Sequence, residues 1–362
     1  SRPAASPSSP SLAASPAPPR VRAALAAVPA PAPSRPERLT LRLAAAAPPG
    51  LTTLRDAAGR ALPPLVLGTS ALGSIDPTGL FGRKERERVF RLLDAVMEAG
   101  CRALDLARSY QLGGTERVVG DWLRGSRMRD ELFLLSKGGH PYPVVAPQRL
   151  GREALEGDLH ATLRALGVSG LDLFLLHRDH EAASLSTIAA VLREARESGK
   201  ARFTGVSNWT FERITELDRV AGTTVVHASS PQLSLAEWKA PPWHGARSIA
   251  GRKHRYERRQ YAKGFFAKKK SLVARSSGPF HQRINEARRA RCEELALRHG
   301  ATPAQVALAY LLAQPFPVFP IVGVSRGENM RANLEATRLR LSAVELRWLE
   351  NGDDDPWLEV QG

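Results

Sequence analysis

Leu104-Asp105-Leu106-Ala107-Arg108-Ser109-Tyr110 reads as the end of a buried strand followed by a loop that carries a carboxylate and a phenol. Two later stretches have the same form: Leu134-Leu-Ser-Lys137 and Leu173-Phe-Leu-Leu-His177. Each is an apolar run that stops on one ionisable residue. Asp105, Tyr110, Lys137 and His177 therefore fall at the carboxyl ends of three separate strands. In a parallel barrel those ends share one face, and that face is where chemistry is done.

Strand and helix signals alternate on both sides of this stretch. Thr52–Asp56 and Arg60–Leu62 around the turn Ala57-Ala-Gly59 predict a short hairpin, followed by a strand in Leu65–Ser70. Further strands are predicted at Arg102–Leu106, Leu132–Ser136, Leu171–Leu176, Arg202–Val206 and Thr224–Ala228. Helices are predicted at Glu85–Ala99, Glu116–Leu123, Arg149–Leu166, Ser184–Ser198 and Thr210–Val220, several ending on a glycine C-cap. After Ser230 the pattern loosens into a Pro/Trp/Gly loop, Trp238–Gly251, and a basic stretch, Arg252–Lys270. Ser271–Arg275 is the candidate seventh strand and Val318–Val322 the eighth. Between them lie helices at Ile284–Arg298 and from Pro303, capped by Thr302; a final helix opens over Glu328–Glu335. Short apolar strands alternating with capped helices give a parallel α/β sheet with helices outside. Eight such units over about 270 residues fit a closed (β/α)8 barrel. Ionisable residues spread over several strand ends also favour a barrel, because an open sheet gathers its ligand at one switch point.

The formal charge of +16 is local: +6 over residues 1–60, +1 over 61–240, +12 over 241–300 and −3 over 301–362. Phosphate-bearing partners are therefore expected at those basic places and not over the whole surface. Residues 1–50 are mostly Ala, Pro, Ser and Arg, and are expected to be disordered because they bury too little apolar area to offset their ordering entropy. Arg-rich, acid-poor composition also describes an organelle transit peptide, plastid before mitochondrion; the plainer reading is an Ala/Pro linker. The barrel is expected over 51–350 with a basic insertion at 241–280, and 351–362 forms an acidic tail. No apolar run approaches the ~18 residues of a bilayer span. Two cysteines, Cys101 and Cys292, give neither a disulfide scaffold nor a thiolate metal site and read as packing residues. No metal-ligand spacing stands out.

A tyrosine acts as a general acid near neutrality only if its pKa, about 10 unperturbed, falls. A neighbouring ammonium favours the phenolate and does this. Lys137 is the candidate, with Asp105 to hold the ammonium and His177 to hydrogen-bond a substrate oxygen. Such a site suits proton delivery to a carbonyl oxygen as a hydride reaches its carbon, and a hydride requires a nicotinamide carrier.

From about Leu51 to Glu350 the chain resembles the aldo-keto reductases. The family's tetrad matches Asp105, Tyr110, Lys137 and His177 in order and context. Leu67-Gly68-Thr69, Gly205-Val-Ser-Asn208, Pro231-Gln-Leu233 and Val322-Gly-Val-Ser-Arg-Gly-Glu-Asn329 with Asn333 are also family-like. The resemblance implies a TIM-type barrel plugged by an amino-terminal hairpin, and NADP(H)-dependent reduction of a small-molecule aldehyde or ketone. It implies that Ser207, Asn208 and Gln232 hold the nicotinamide carboxamide. It also implies that Ser325 and Arg326 meet the 2′-phosphate, with Asn329 and Asn333 on the adenine side. Gly68 and Thr69 match the first strand end. Arg275 and Ser276 take the place where the family's seventh strand ends on an aromatic residue that stacks on the nicotinamide. A second alignment puts Tyr261–Phe266 there but leaves no apolar strand before it.

The basic stretch Arg252–Lys270, with Tyr256, Tyr261, Phe265 and Phe266 interleaved, suits a nucleic-acid backbone with stacked bases. The plainer reading, which we favour, is a solvated helix over Arg255–Lys268. Two other functions compete with the reductase. One is a non-catalytic barrel in an organellar, RNA-containing assembly, supported by the basic leader, the +12 segment and the poor seventh strand. The other keeps the cofactor in a redox-sensing partner protein. Trp209, Trp238 and Trp243 suggest an apolar, aromatic-lined mouth.

Overall fold

The computed structural model describes residues 59, 61–72, 82–141, 148–231, 233–236, 254–258, 266, 283–314 and 316–352. All of them lie in one of the chain's two compact units, Pro48–Gly362. The leader, most of the expected hairpin, the acidic tail after Gly352 and most of the 241–280 insertion lie outside the described residues, as do Gln232, Arg275, Ser276, Trp238 and Trp243.

Eight strands close a parallel barrel in chain order. They are β1 (Val66–Gly68), β2 (Ala103–Asp105), β3 (Phe133–Gly138), β4 (Leu171–Leu176), β5 (Ala201–Ser207), β6 (Ala228–Ser230), β7 (His254–Arg258) and β8 (Val318–Val322). Helices α1 (Arg83–Glu98), α2 (Gly114–Ser126), α3 (Arg152–Leu166), α4 (Leu185–Glu197) and α5 (Phe211–Ala221) return the chain between the first six strands. After β7 come α6 (Arg283–Arg298) and α7 (Pro303–Leu312), and after β8 come α8 (Gly327–Ala336) and α9 (Ala343–Asn351).

Successive strand residues face opposite sides, and the burial follows that alternation. Val66, Ala103, Phe133, Leu135, Leu173, Leu175, Ala228, Phe319 and Ile321 fill the barrel interior together with Leu62, which precedes β1. Their neighbours Leu67, Leu104, Leu134, Phe174 and Leu176 face the helices and pack against Val89, Leu93, Val118, Leu155 and Ile188. Stepping two residues up the inner columns from Ala103, Leu135, Leu175 and Ala228 arrives at Asp105, Lys137, His177 and Ser230. Among the described side chains of these strands, the inner columns are therefore apolar below and polar at the carboxyl rim.

Three sequence expectations fail. The sixth strand is Ala228–Ser230 and not Thr224–Ala228. Asp218 takes the backbone N–H groups of Val225 and Val226 at 3.1 and 3.2 Å, so these buried valines form the approach to the strand. The seventh strand is His254–Arg258, paired to β6 at Ala228↔His254 and to β8 at Arg255↔Val318. The sequence pattern puts part of that segment in a helix and the strand at Ser271–Arg275, which lies outside the described residues. Closing the barrel requires a backbone bonded on both edges, and hydrogen bonds of the main chain do not depend on apolar side chains. The third miss is α9, whose capping box of Ser342 and Glu345 is visible in the sequence. Its last carbonyls, Leu349 and Glu350, accept hydrogen bonds from Arg291 and Arg288 of α6.

Two glycines in the helical layer have opposite roles. A Cβ on Gly120 of α2 would lie 2.1 Å from the Ala165 carbonyl oxygen, so α2 and α3 approach only because that atom is absent. A Cβ on Gly157 of α3 meets nothing within 4 Å. Gly120→Ala is expected to lower stability by about 1–3 kcal/mol through overpacking. Gly157→Ala is expected to raise it by about 0.5–1 kcal/mol by reducing unfolded-chain freedom. Urea denaturation of the two variants checks this; equal signs would mean that α2 and α3 are not in contact there.

Candidate active site

The four residues singled out in the sequence meet at the carboxyl rim. The Lys137 ammonium donates to Asp105 Oδ1, to the Leu106 carbonyl at 2.7 Å and to Tyr110 Oη at 3.4 Å. Those three acceptors use all three N–H bonds of an ammonium. The Tyr110 hydroxyl in turn donates to Asp105 Oδ2 at 3.4 Å. Lys137 and Asp105 are 0% and 1% exposed, so the pair is wholly inside the barrel. Burial pushes the Lys137 ammonium below its ordinary range, and the Asp105 carboxylate opposes that push.

Backbone bonds continue each ladder past the strand end and fix the rim. Arg108 N donates to Lys137 O at 2.9 Å, His177 N to Gly138 O at 2.8 Å and Asn208 N to Ser230 O at 3.2 Å. Tyr110 opens a short turn, Tyr110–Gly113, in which Gln111 and Leu112 are left-handed at φ 49° and 52°. Side-chain-bearing residues avoid that region at a cost of about 1–2 kcal/mol each. Such strain beside a site residue is held by its surroundings.

His177 is buried with Ser109 Oγ 3.3 Å from Nδ1. The Tyr110 ring stands edge-on to it at 5.9 Å and the His140 ring at 4.7 Å between centroids. Burial, then the charges of Lys137, His140 and Arg178, push the His177 pKa down to about 2. The imidazole is therefore neutral near pH 7 and serves as a hydrogen-bonding group.

Beside the tetrad, β5 and β6 end in a small polar cluster. Asn208 Nδ2 donates to Ser207 Oγ at 2.8 Å and to the His177 carbonyl at 3.2 Å, and Ser207 Oγ donates to the Ser230 carbonyl at 3.2 Å. The Ser230 hydroxyl is buried with no hydrogen-bond partner among the described residues. An orphaned hydroxyl next to an amide and a second hydroxyl fits a carboxamide, which both donates and accepts. Ser230 was missed in the sequence, where a lone serine carries no signal.

Ser325 and Arg326 are exposed at the amino end of α8, with Asn329 and Asn333 one turn apart on the same side. Exposed helix N–H groups beside an arginine suit a phosphate. Glu328 shares that first turn. Thr69 is committed elsewhere: its hydroxyl donates to the Asp105 carbonyl at 2.7 Å, pinning β1 to β2 below the carboxylate. Gly68 lies under β8, where a Cβ would come within 2.9 Å of Ile321 Cγ2. Among the described residues no cluster of His, Cys, Asp or Glu suits a metal ion, and no helix is long and apolar enough to cross a membrane. Both cysteines are buried free thiols, pushed up by burial.

The His177 environment has a consequence for stability. A histidine depressed from 6.5 to about 2 stabilises the fold above pH 6.5, and that contribution is lost as the pH falls. The loss is about 1.4 kcal/mol per pH unit below that point. Urea midpoints measured between pH 6 and pH 4 are expected to fall more steeply for the native protein than for His177→Gln. Parallel slopes would mean that the imidazole titrates freely in the folded state.

The chain matches the aldo/keto reductase family model over residues 64–241 and 250–351. It is 27% identical over 330 residues to norsolorinic acid reductase A of Aspergillus parasiticus, covering 83% of this chain and 80% of that protein. It is 26% identical over 319 residues to an NADP(+) aryl-alcohol dehydrogenase of Phanerodontia chrysosporium, covering 80% and 82%. An aldo/keto reductase from Klebsiella pneumoniae, solved in complex with NADP and acetate, superimposes with a TM-score of 0.62 at 25% identity, covering 84% of this chain and 96% of that one. The eight-stranded closure, the rim that gathers Asp105, Tyr110, Lys137 and His177, and a family match spanning nearly the whole barrel agree: the chain belongs to the aldo/keto reductase family of NADP-dependent oxidoreductases.

Proposed function

We propose that the protein reduces an aldehyde or ketone with NADPH, Tyr110 giving the proton to the carbonyl oxygen. The observation that carries this reading is the Lys137 ammonium, buried between the Asp105 carboxylate and the Tyr110 hydroxyl. NADPH, when bound, supplies the hydride. Lys137 stabilises the phenolate that Tyr110 becomes, and Asp105 keeps the ammonium in place. His177, neutral and held at Nδ1 by Ser109, orients the carbonyl.

The cofactor-holding residues are Ser207, Asn208 and Ser230 at the carboxamide, with Gln232 from the family match. Ser325, Arg326 and the α8 amino end take the 2′-phosphate, and Asn329 and Asn333 the adenine side. Gly68 and Thr69 shape the floor. Arg275 and Ser276 keep only the alignment as support. With β7 at His254–Arg258, the stretch Tyr261–Phe266 gains the preceding strand it lacked, so it competes with Arg275 for the pyrophosphate loop. NADP over NAD is supported by Arg326 and by the cofactor named for the Phanerodontia relative.

For the substrate, the named relatives act on norsolorinic acid and on aryl alcohols, which supports an aryl carbonyl here. Trp209, expected at the mouth, packs instead in the layer between strands and helices, beside Arg213 of α5. The non-catalytic alternative loses one of its supports, because the seventh strand is intact and paired on both edges. An organellar location is supported by the composition of the leader alone.

Tyr110→Phe is expected to lower kcat for a generic benzaldehyde by about 10²–10⁴-fold. NADPH binding, followed by tryptophan quenching, should stay within about twofold because the hydroxyl does not hold the cofactor. Undiminished turnover by this variant would remove the assignment. Salt-sensitive RNA binding by a native protein that neither binds NADPH nor turns over aldehydes would favour the non-catalytic alternative. Across a panel of aldehydes, aryl compounds should exceed straight-chain ones of similar size by about tenfold or more in kcat/KM.

A further inference from the structure

Glu116 is a buried carboxylate that the proposed chemistry does not use. It stands in the first turn of α2 and is 0% exposed. Its Oε1 accepts from Ser136 Oγ at 2.8 Å and from Thr162 Oγ1 at 2.8 Å. Its Oε2 lies 3.5 Å from Arg108 Nη1. Burial pushes this carboxyl up from the ordinary range, while Ser136, Thr162 and Arg108 oppose the shift.

The partners matter through their neighbours in the chain. Ser136 directly precedes Lys137 on β3 and points outward because Lys137 points inward. Arg108 lies two residues before Tyr110, and its backbone N–H donates to the Lys137 carbonyl at 2.9 Å. One carboxylate thus ties the outer side of the Lys137 strand to the loop that delivers Tyr110. The same guanidinium lies against Gly113, where an added Cβ would fall 1.5 Å from Nη1. It therefore sits under the left-handed turn of Gln111, Leu112 and Gly113. A strained turn relaxes unless something holds it, and Arg108, fixed by Glu116, is placed to do so.

We propose that Glu116 is a positioning residue: through Ser136 on one side and Arg108 on the other it holds the Tyr110 hydroxyl within hydrogen-bonding reach of the Lys137 ammonium. This rests on the assignment of Tyr110 and Lys137 as the acid and its activator. When the strut is lost, the phenol and the ammonium separate, and Lys137 favours the phenolate less. Tyr110 then stays protonated to higher pH but delivers its proton less well.

The test is the alkaline limb of kcat for benzaldehyde reduction, measured in Glu116→Gln, Arg108→Met and Ser136→Ala. Each variant is expected to lose about tenfold in kcat and to move the limb upward by about half a pH unit. KM and NADPH affinity should stay within about twofold. Direct electrostatics predicts another pattern. Removing the Arg108 cation moves the limb up, removing the Glu116 anion moves it down, and Ser136→Ala, which removes no charge, leaves it in place. A downward shift in Glu116→Gln, or an unmoved limb in Ser136→Ala, overturns the proposal. Should Glu116→Gln fail to fold, Ser136→Ala decides the matter alone. Tyr110→Phe in the native background separates the two levels: retained turnover there sinks the catalytic assignment, whereas loss of turnover with an unmoved limb in Ser136→Ala sinks only the strut.

Discussion

The ion pair between Lys137 and Asp105 is the interaction on which the rim depends. Both groups are taken wholly out of water, which penalises each ion by several kcal/mol even after relaxation. The pair is tolerated because it is closed: three acceptors surround Nζ, and the carboxylate also receives the Tyr110 hydroxyl. Apolar residues of the same volume in such a place are often neutral or stabilising by about 1–4 kcal/mol. A buried charge pair at the top of an apolar barrel is therefore poor evidence of stability and good evidence of use. It also makes the rest of the rim hard to move, because shifting β2 against β3 would strand a charge.

The strands act on both sides. The described inner columns are apolar until the carboxyl end, where Asp105, Lys137, His177, Ser207 and Ser230 replace the hydrocarbon. Their outer columns pack on helices, and there one polar residue, Ser136, reaches the Glu116 carboxylate. Alternation places Ser136 and Lys137 on opposite faces of one strand. A contact in the helical layer thereby sets the height and angle of a group in the site. Arg108 continues the same link into the turn after Tyr110, where two left-handed residues would otherwise relax.

Much of this was legible beforehand for reasons that can be named. β4 and β8 coincide with their expected ranges, because a short apolar run bounded by polar residues has few alternatives inside a protein. The helices were found by their spacing and caps, as with Thr302 and Pro303 at the start of α7. The errors fell where tertiary bonds outrank local preference. Asp218 captured the backbone of Val225 and Val226 and displaced β6 by several residues. β7 was assembled from His254-Arg-Tyr-Glu-Arg258, a composition that announces no strand, because a closed ladder needs a bonded neighbour for both β6 and β8. Among side chains, those with a distinctive type at a strand end were found. Glu116, Arg108, Ser109 and Ser230 were not, since each gains its meaning from a partner 8 to 68 positions away or from a missing one.

The sequence by itself determined the alternation of strands and helices, the parallel barrel that follows from it, and the four residues at the ends of the apolar runs. These are properties of local pattern: hydrophobic period, caps, and ionisable groups at the point where a strand leaves the core. Only the tertiary structure decided that the ammonium has three acceptors, that His177 is held neutral, that the seventh strand is a charged one, and that Glu116 joins Ser136 to Arg108. The reason is that a hydrogen bond, a desolvation and a closed ladder depend on distance in space, and the chain brings those distances into being only when all eight strands have closed.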